Sequence, residues 1–202
     1  MLPRPLTKFI ELFSKVPGIG PRQAHRLAFW FLKRDVYAFS MALKDLADKV
    51  SVCKQCFFVF DPSASSGQEQ PTTCSICRNP NRDKTTLAVV EKETDLISIE
   101  KTKKYPGLYF VLGGLFSSTG RNGHEIRLKE LSQRIQNDKN LGEVILALSH
   151  TAEGDLTAME LEKIFNQFKH LKITRLGLGL PRGAEVEFAD EDTLANAIQS
   201  RR

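Results

Sequence analysis

The sequence predicts an α/β protein with an N-terminal helical module and a four-cysteine knuckle ahead of a mainly parallel sheet. Three observations carry that prediction. Residues 1–52 place apolar side chains at helical spacing and hold the excess positive charge. All four cysteines fall between Cys53 and Cys77, as two Cys-x-x-Cys pairs. From Leu87 onward, short apolar runs alternate with helical patterns, the signature of strands laid parallel with helices on their faces. A chain of 202 residues suits one large domain or two small ones.

In the first module, Leu6, Phe9, Ile10 and Phe13 recur at i, i+3, i+4 and i+7, so residues 6–14 form an amphipathic helix. Pro17-Gly18-Ile19-Gly20-Pro21 ends it. A second helix starts at Pro21, a residue suited to a first helical position, with Ala24, Leu27, Ala28 and Phe31 on its apolar face. Asp35 caps a third, whose inner face is Phe39, Leu43, Leu46 and Val50. Gly18 and Gly20 let the backbone approach a ligand closely. The free N–H groups of such a turn at a helix start make an anion site. Arg22 and Arg26 lie one turn apart on the second helix, beside that turn. Trp30 follows on the same helix, either as core or as a base-stacking aromatic. An ordinary glycine turn between two helices is the plainer alternative.

Cys53, Cys56, Cys74 and Cys77 form the set that Zn²⁺ takes in a closed structural site, which leaves no open position for catalysis. Disulfides and an iron–sulfur cluster are the alternatives. The N-terminal residues lack the apolar segment of a signal peptide, and no apolar run approaches the ~18 residues of a membrane span. A cytoplasmic, reducing location follows as an expectation, and it favours metal over disulfides. Lys54 and Arg78 flank the pairs and favour ionised thiolates. Phe57–Phe60 is expected as a short strand supporting the knuckle, and residues 61–71 as a polar loop.

The C-terminal part contains expected strands at Leu87–Val90, Leu108–Leu112, Val144–Leu148 and Ile173–Leu176. Helices are expected over Thr94–Thr102, around Ile126–Ile135, over residues 155–170, and after a cap at Asp190. Ligands of such sheets sit at the carboxyl ends of the strands. Glu91 ends the first strand, and Glu153 and Asp155 follow the third, so these three carboxylates form an expected weak Mg²⁺ or partner site. Their alternative is structural, as helix caps or partners of arginine.

Charge separates the modules. Residues 1–52 hold nine Lys and Arg against four Asp and Glu, while the remainder holds twenty of each. An anionic partner for the first module is implied, with nucleic acid foremost. The phosphate-binding signature G-x-x-x-x-G-K-[ST] is absent, so ATP hydrolysis is not implied. No Ser-His-Asp or Cys-His set is spaced for nucleophilic catalysis.

The Val16-Pro-Gly-Ile-Gly-Pro21 string with its basic helix resembles the helix-hairpin-helix motif, which grips DNA phosphates without reading bases. Glu91 and Glu153-Gly154 resemble elements of the Toprim domain of topoisomerases, primases and some nucleases. That family holds Mg²⁺ with an Asp-x-Asp whose positions are Ser149 and Thr151 here, so strand-cleaving chemistry is not expected. Together with the cysteine set, Tyr109-Phe-Val-Leu-Gly113 and Gly179-Leu-Pro181-Arg-Gly183, these motifs resemble the RecR family of bacterial recombination mediators over nearly the whole chain. Two departures are a longer insert between the cysteine pairs, and Ser149-His150 where the family shows Asn-Pro.

The resemblance implies a non-enzymatic DNA repair and recombination protein that works with RecO and RecF to load RecA on gapped single-stranded DNA. It implies a ring-shaped homo-oligomer, dimer or tetramer, acting as a clamp. It also implies division into a helix-hairpin-helix module at 1–52, a zinc finger at 53–77, a Toprim-like domain at 78–180 and a C-terminal segment at 181–202. DNA contacts fall to Gly18, Gly20, Arg22 and Arg26. An active Toprim nuclease or topoisomerase, and a protein adaptor without DNA contact, are the alternatives.

Overall fold

The computed structural model describes residues 2–64, 71–117 and 126–201. They fall into two compact units that meet in sequence at Val50 and Ser51.

The first unit is three helices: α1 (Arg4–Phe13), α2 (Pro21–Phe31) and α3 (Val36–Lys49). Pro21 occupies the first turn of α2, where a missing N–H costs nothing. Asp35 caps α3 by accepting from the Tyr37 N–H at 2.9 Å. Ile10, Ala24 and Ala28 are buried, with Leu6, Phe9, Phe13 and Ile19 packed around them. Phe31 is half-buried and meets the rings of Phe9, Phe13 and Phe39 edge-on. The small Ala24 and Ala28 let α1 and α2 approach closely, which places the intervening turn firmly.

The expected inner face of α3 is a correction. Phe39, Leu43, Leu46 and Val50 are all exposed, and α3 buries none of its residues. Its apolar pattern is real, but among the described residues nothing in the first unit buries it.

The second unit opens with β1 (Ser51–Val52), paired antiparallel with β2 (Val59–Phe60). The expected strand over 57–60 is therefore two residues long. Phe57 sits at φ 62°, in the left-handed region, because its N–H turns back to the Cys53 carbonyl at 2.9 Å. Edge-on contact with Phe110 and the Arg127 guanidinium 4.9 Å from its ring hold it there. The expected polar loop at 61–71 lies outside the described residues at 65–70. A short helix α4 (Ser75–Arg78) carries the second cysteine pair.

The main sheet contains β3 (Asp83–Val90), β4 (Gly107–Val111), β5 (Glu143–Ala147) and β6 (Lys172–Arg175), all parallel, in the order β4-β3-β5-β6. Its connecting helices are α5 (Glu93–Lys101), α6 (Leu128–Asn137) and α7 (Ala152–Phe165), and α8 (Glu191–Gln199) ends the chain. Alternation along the strands sorts the two faces. Leu87, Val89, Phe110, Leu112, Val144 and Leu146 pack against Leu131 and Ile135 of α6 and Leu161 and Phe165 of α7. Ala88, Val90, Tyr109, Val111 and Ala147 meet Leu96 of α5 and Phe57, Phe58 and Ile76 of the knuckle. A sheet covered on both faces explains the near-continuous apolar runs read from its strands.

The helix expected over 155–170 instead runs 152–165. Thr151 caps it by accepting from the Gly154 N–H at 3.1 Å, four residues ahead of Asp155. It stops before Phe168, which still packs on the core.

Candidate metal centre and nucleic-acid interface

The knuckle is built by two turns. The Phe57 N–H returns to the Cys53 carbonyl at 2.9 Å, and the Arg78 N–H to the Cys74 carbonyl at 3.1 Å, so each pair presents both sulfurs to one side. All four Sγ atoms lie within 4.8 Å of one another, and Cys53, Cys56 and Cys74 are buried. Cys56 and Cys74 are 3.5 Å apart, close to the roughly 3.8 Å expected between sulfurs tetrahedral about Zn²⁺. The cysteines form no disulfides. The Cys74 N–H donates to Cys53 Sγ at 3.3 Å, a bond that favours a thiolate. The Cys53 thiol is held far below its ordinary value, first by its hydrogen bond with Cys56 and then by that with Cys74. Cys77 is driven far above, first by Cys53. Four thiolates this close repel one another, so full ionisation requires a cation among them. The donor set can hold a metal ion, and its soft all-sulfur chemistry fits Zn²⁺.

The knuckle also closes an edge of the sheet. Strand β4 is the edge, and its Val111 N–H donates to the Cys56 carbonyl at 2.8 Å. Arg134 Nη1 donates to the carbonyls of Gln55 at 2.5 Å and Tyr109 at 3.0 Å. Arg127 Nη1 donates to the Val111 carbonyl at 3.0 Å. These bonds satisfy groups that would otherwise invite another strand.

In the first unit, the turn between α1 and α2 is closed by the Ile19 N–H on the Val16 carbonyl at 3.0 Å. Pro17 and Gly18 are its central residues, and Gly18 has φ +79°, the value the third position of a type II turn demands. Gly18 and Gly20 face open space. Among the described residues, the N–H groups of Gly18, Gly20, Arg22 and Gln23 have no partner. Arg22 and Arg26 are exposed on the first two turns of α2. His25 instead folds back, its Nδ1 at 2.8 Å from the Pro21 carbonyl. Free donors, the positive end of a helix dipole and two guanidinium groups converge here, as an anion site requires.

The carboxylates form a different arrangement. Val90 of β3 lies opposite Ala147 of β5, so Glu91 and the loop 148–155 meet at one carboxyl edge, where the strand order reverses. Yet among the described residues the four cysteines are the one group of three or more ligating side chains within metal-holding distance. Asp155 Oδ1 accepts from Arg175 Nη2 at 2.5 Å, and His150 Nδ1 lies 3.7 Å from Asp155 and 3.3 Å from Arg175. The Arg175 bond keeps the Asp155 carboxyl below its ordinary value. Glu91 lies 4.0 Å from Lys92. Arg175 is the participant the sequence did not single out; it ends β6 (Lys172–Arg175), a short strand with a cation at each end, and nothing local marks it as a partner of Asp155. Gly154 is required by close approach, since a Cβ there would collide with the Ser149 carbonyl.

Three family models match consecutive stretches of the chain: the RecR helix-hairpin-helix over residues 6–46, the Toprim domain over 85–177 and the RecR C-terminal region over 179–202. The recombination protein RecR of Rippkaea orientalis is 42% identical, with 98% of this chain and 96% of that protein aligned. The recombination protein RecR of Gloeobacter violaceus is 40% identical across 100% of this chain and 99% of its own length.

The chain belongs to the RecR family.

The RecR helix-hairpin-helix match spans the whole Val16–Pro21 turn and α2. The Toprim match spans the sheet from within β3 to just beyond β6, including the Asp155–Arg175 pair. The cysteine set falls between these two matches. No helix among the described residues is long and apolar enough to cross a membrane.

Proposed function

We propose that this RecR-family chain is a non-enzymatic DNA-binding mediator of recombination and repair. It grips DNA phosphates through Gly18, Gly20, Arg22 and Arg26 and carries a structural Zn²⁺ on Cys53, Cys56, Cys74 and Cys77. The observation that carries this reading is the exposed turn with Gly18 at φ +79°, unpartnered amides and two arginines on the helix that follows. Such a site reads charge and not sequence, so binding falls steeply with salt.

One subunit offers few phosphate contacts, so tight binding needs several hairpins acting together. The exposed apolar face of α3 supports assembly into a homo-oligomer. A ring of subunits closing around DNA as a clamp, acting with RecO and RecF to load RecA on gapped single strands, completes the proposal. A reducing cytoplasm is the compartment in which the thiolates persist. The zinc supplies folding energy to the knuckle and no open coordination site.

The Toprim module serves this proposal as a scaffold. Ser149 and Thr151 offer hydroxyls where the enzymes of that family have carboxylates, and Arg175 already holds Asp155. Glu91 and Glu153 remain for a weak Mg²⁺ or a partner.

Supercoiled plasmid incubated with the protein and Mg²⁺ or Mn²⁺, and run on gels with and without protease treatment, tests the proposal. Retarded DNA that returns intact after protease is the expected result. Nicked or relaxed DNA after protease would establish an enzyme instead, with Glu91, Glu153 and Asp155 as its acids.

A further inference from the structure

Helix α2 carries a second surface beyond the phosphate turn. A cleft of about 520 Å³ is lined by Ile19, Gln23, Arg26, Leu27 and Trp30. Ile19 belongs to the turn itself, and Gln23, Leu27 and Trp30 follow at helical spacing, so the cleft leads directly away from the anion site. Its exposed lining is mostly apolar, with Gln23, Arg26 and the Trp30 indole N–H able to hydrogen-bond.

Trp30 is the chain's one tryptophan. It is 44% exposed, although it meets Phe31 and Phe39 edge-on. Arg34 lies with its guanidinium 5.6 Å from the Trp30 ring. Arg22, Arg26 and Trp30 thus follow one another at four-residue spacing on α2, and Arg34, in the turn after the helix, brings a further cation to the Trp30 ring. A half-exposed indole beside cations suits a nucleic-acid strand, because cations follow its backbone while an aromatic face stacks on a base.

We infer that this cleft receives an unpaired nucleobase of single-stranded DNA, stacked on Trp30, next to a phosphate held at the Gly18–Gly20 turn. In a duplex that base is paired and stacked within the helix and cannot enter. The cleft therefore gives the hairpin module a preference for single strands that phosphate contacts alone do not supply. The inference rests on the proposed phosphate grip of the hairpin.

Because Trp30 is the sole tryptophan, its fluorescence reports on this site directly. The full-length protein is titrated with three labelled DNAs of equal length: an oligo-dT strand, a strand with abasic units at its centre, and a duplex. Label anisotropy reads binding, and Trp30 emission reads stacking. The expected result is strong quenching by oligo-dT and little by the abasic strand or duplex, although all three raise the anisotropy. Trp30→Ala is expected to weaken oligo-dT binding about tenfold and duplex binding less than about twofold, with Trp30→Phe in between. Equal quenching and affinity for the dT and abasic strands would overturn the inference and leave the phosphate grip standing. Unchanged anisotropy with every DNA would overturn both. A Trp30→Ala protein that sediments as a smaller assembly yet binds oligo-dT normally would overturn the inference by assigning the cleft to a second copy of the chain.

Discussion

Arg22 and Arg26 stand with their side chains in solvent, so neither contributes packing that a substitution would remove. Replacing both with alanine is expected to weaken DNA binding and to flatten the plot of log affinity against log salt by about two units of slope. Stability should stay within about 0.5 kcal/mol of the parent, as checked by thermal melting beside the binding titration. Full affinity with an unchanged slope would show that the phosphates lie elsewhere. Asp155 gives a prediction with a definite sign. Its carboxyl is held below the ordinary 3.8 chiefly by the Arg175 hydrogen bond. The pair therefore stabilises the fold above that pH and loses its contribution as pH falls through the lowered value. Both side chains are partly solvated, so the contribution is below about 1 kcal/mol. A carbon-detected NMR titration of Asp155 should show its midpoint rise toward 3.8 in an Arg175→Ala variant.

Among the elements, the knuckle does two jobs with one set of residues. Its sulfurs can gather a metal, and its backbone covers the β4 edge through Cys56 and Gln55. Removing one ligand should therefore be felt in the sheet as well as at the metal. Cys74→Ser is expected to release zinc, measured by atomic emission, and to lower stability by about 4 kcal/mol, or roughly 10 °C in Tm. Chelation of the parent protein should reproduce the shift. Full zinc occupancy and unchanged melting would remove the structural-metal reading. Helix α7 shows how a cap decides a boundary. Thr151 reaches the Gly154 N–H, so the helix begins at Ala152 and carries Asp155 within reach of Arg175.

At the scale of the molecule, the excess charge belongs to the first module, which also presents an exposed apolar face on α3. Leu43 and Leu46 are 60% and 64% exposed on α3, and Tyr37 is 72% exposed. A lone chain would present this face to water at a cost of about 25 cal/mol for each Å² of apolar surface. A second copy of the chain is the occupant proposed for it. Leu43→Glu with Leu46→Glu is expected to shift sedimentation toward the monomer and, by removing avidity, to weaken binding to long DNA more than tenfold. Sedimentation identical to the parent would free α3 for a different partner.

The sequence by itself determined the α/β class, the four parallel strands, the three N-terminal helices and the cysteine set, because each rests on local spacing. Two Cys-x-x-Cys turns, a Pro-Gly pair between amphipathic helices and apolar runs bounded by polar residues are legible without knowing what packs on them. Long-range packing decided the rest. The left-handed Phe57 cut the expected strand to two residues because its ring is held by Phe110 and Arg127, residues far along the chain. The pairing of Asp155 with Arg175 follows from β5 and β6 being neighbours, which no local pattern states. The face of α3 read as buried is exposed in one chain, because periodicity records which side of a helix is apolar and not what covers it. Whether Trp30 belonged to the core or the surface was open in the sequence for the same reason, and only the cleft beside it in the folded helices placed it among the arginines.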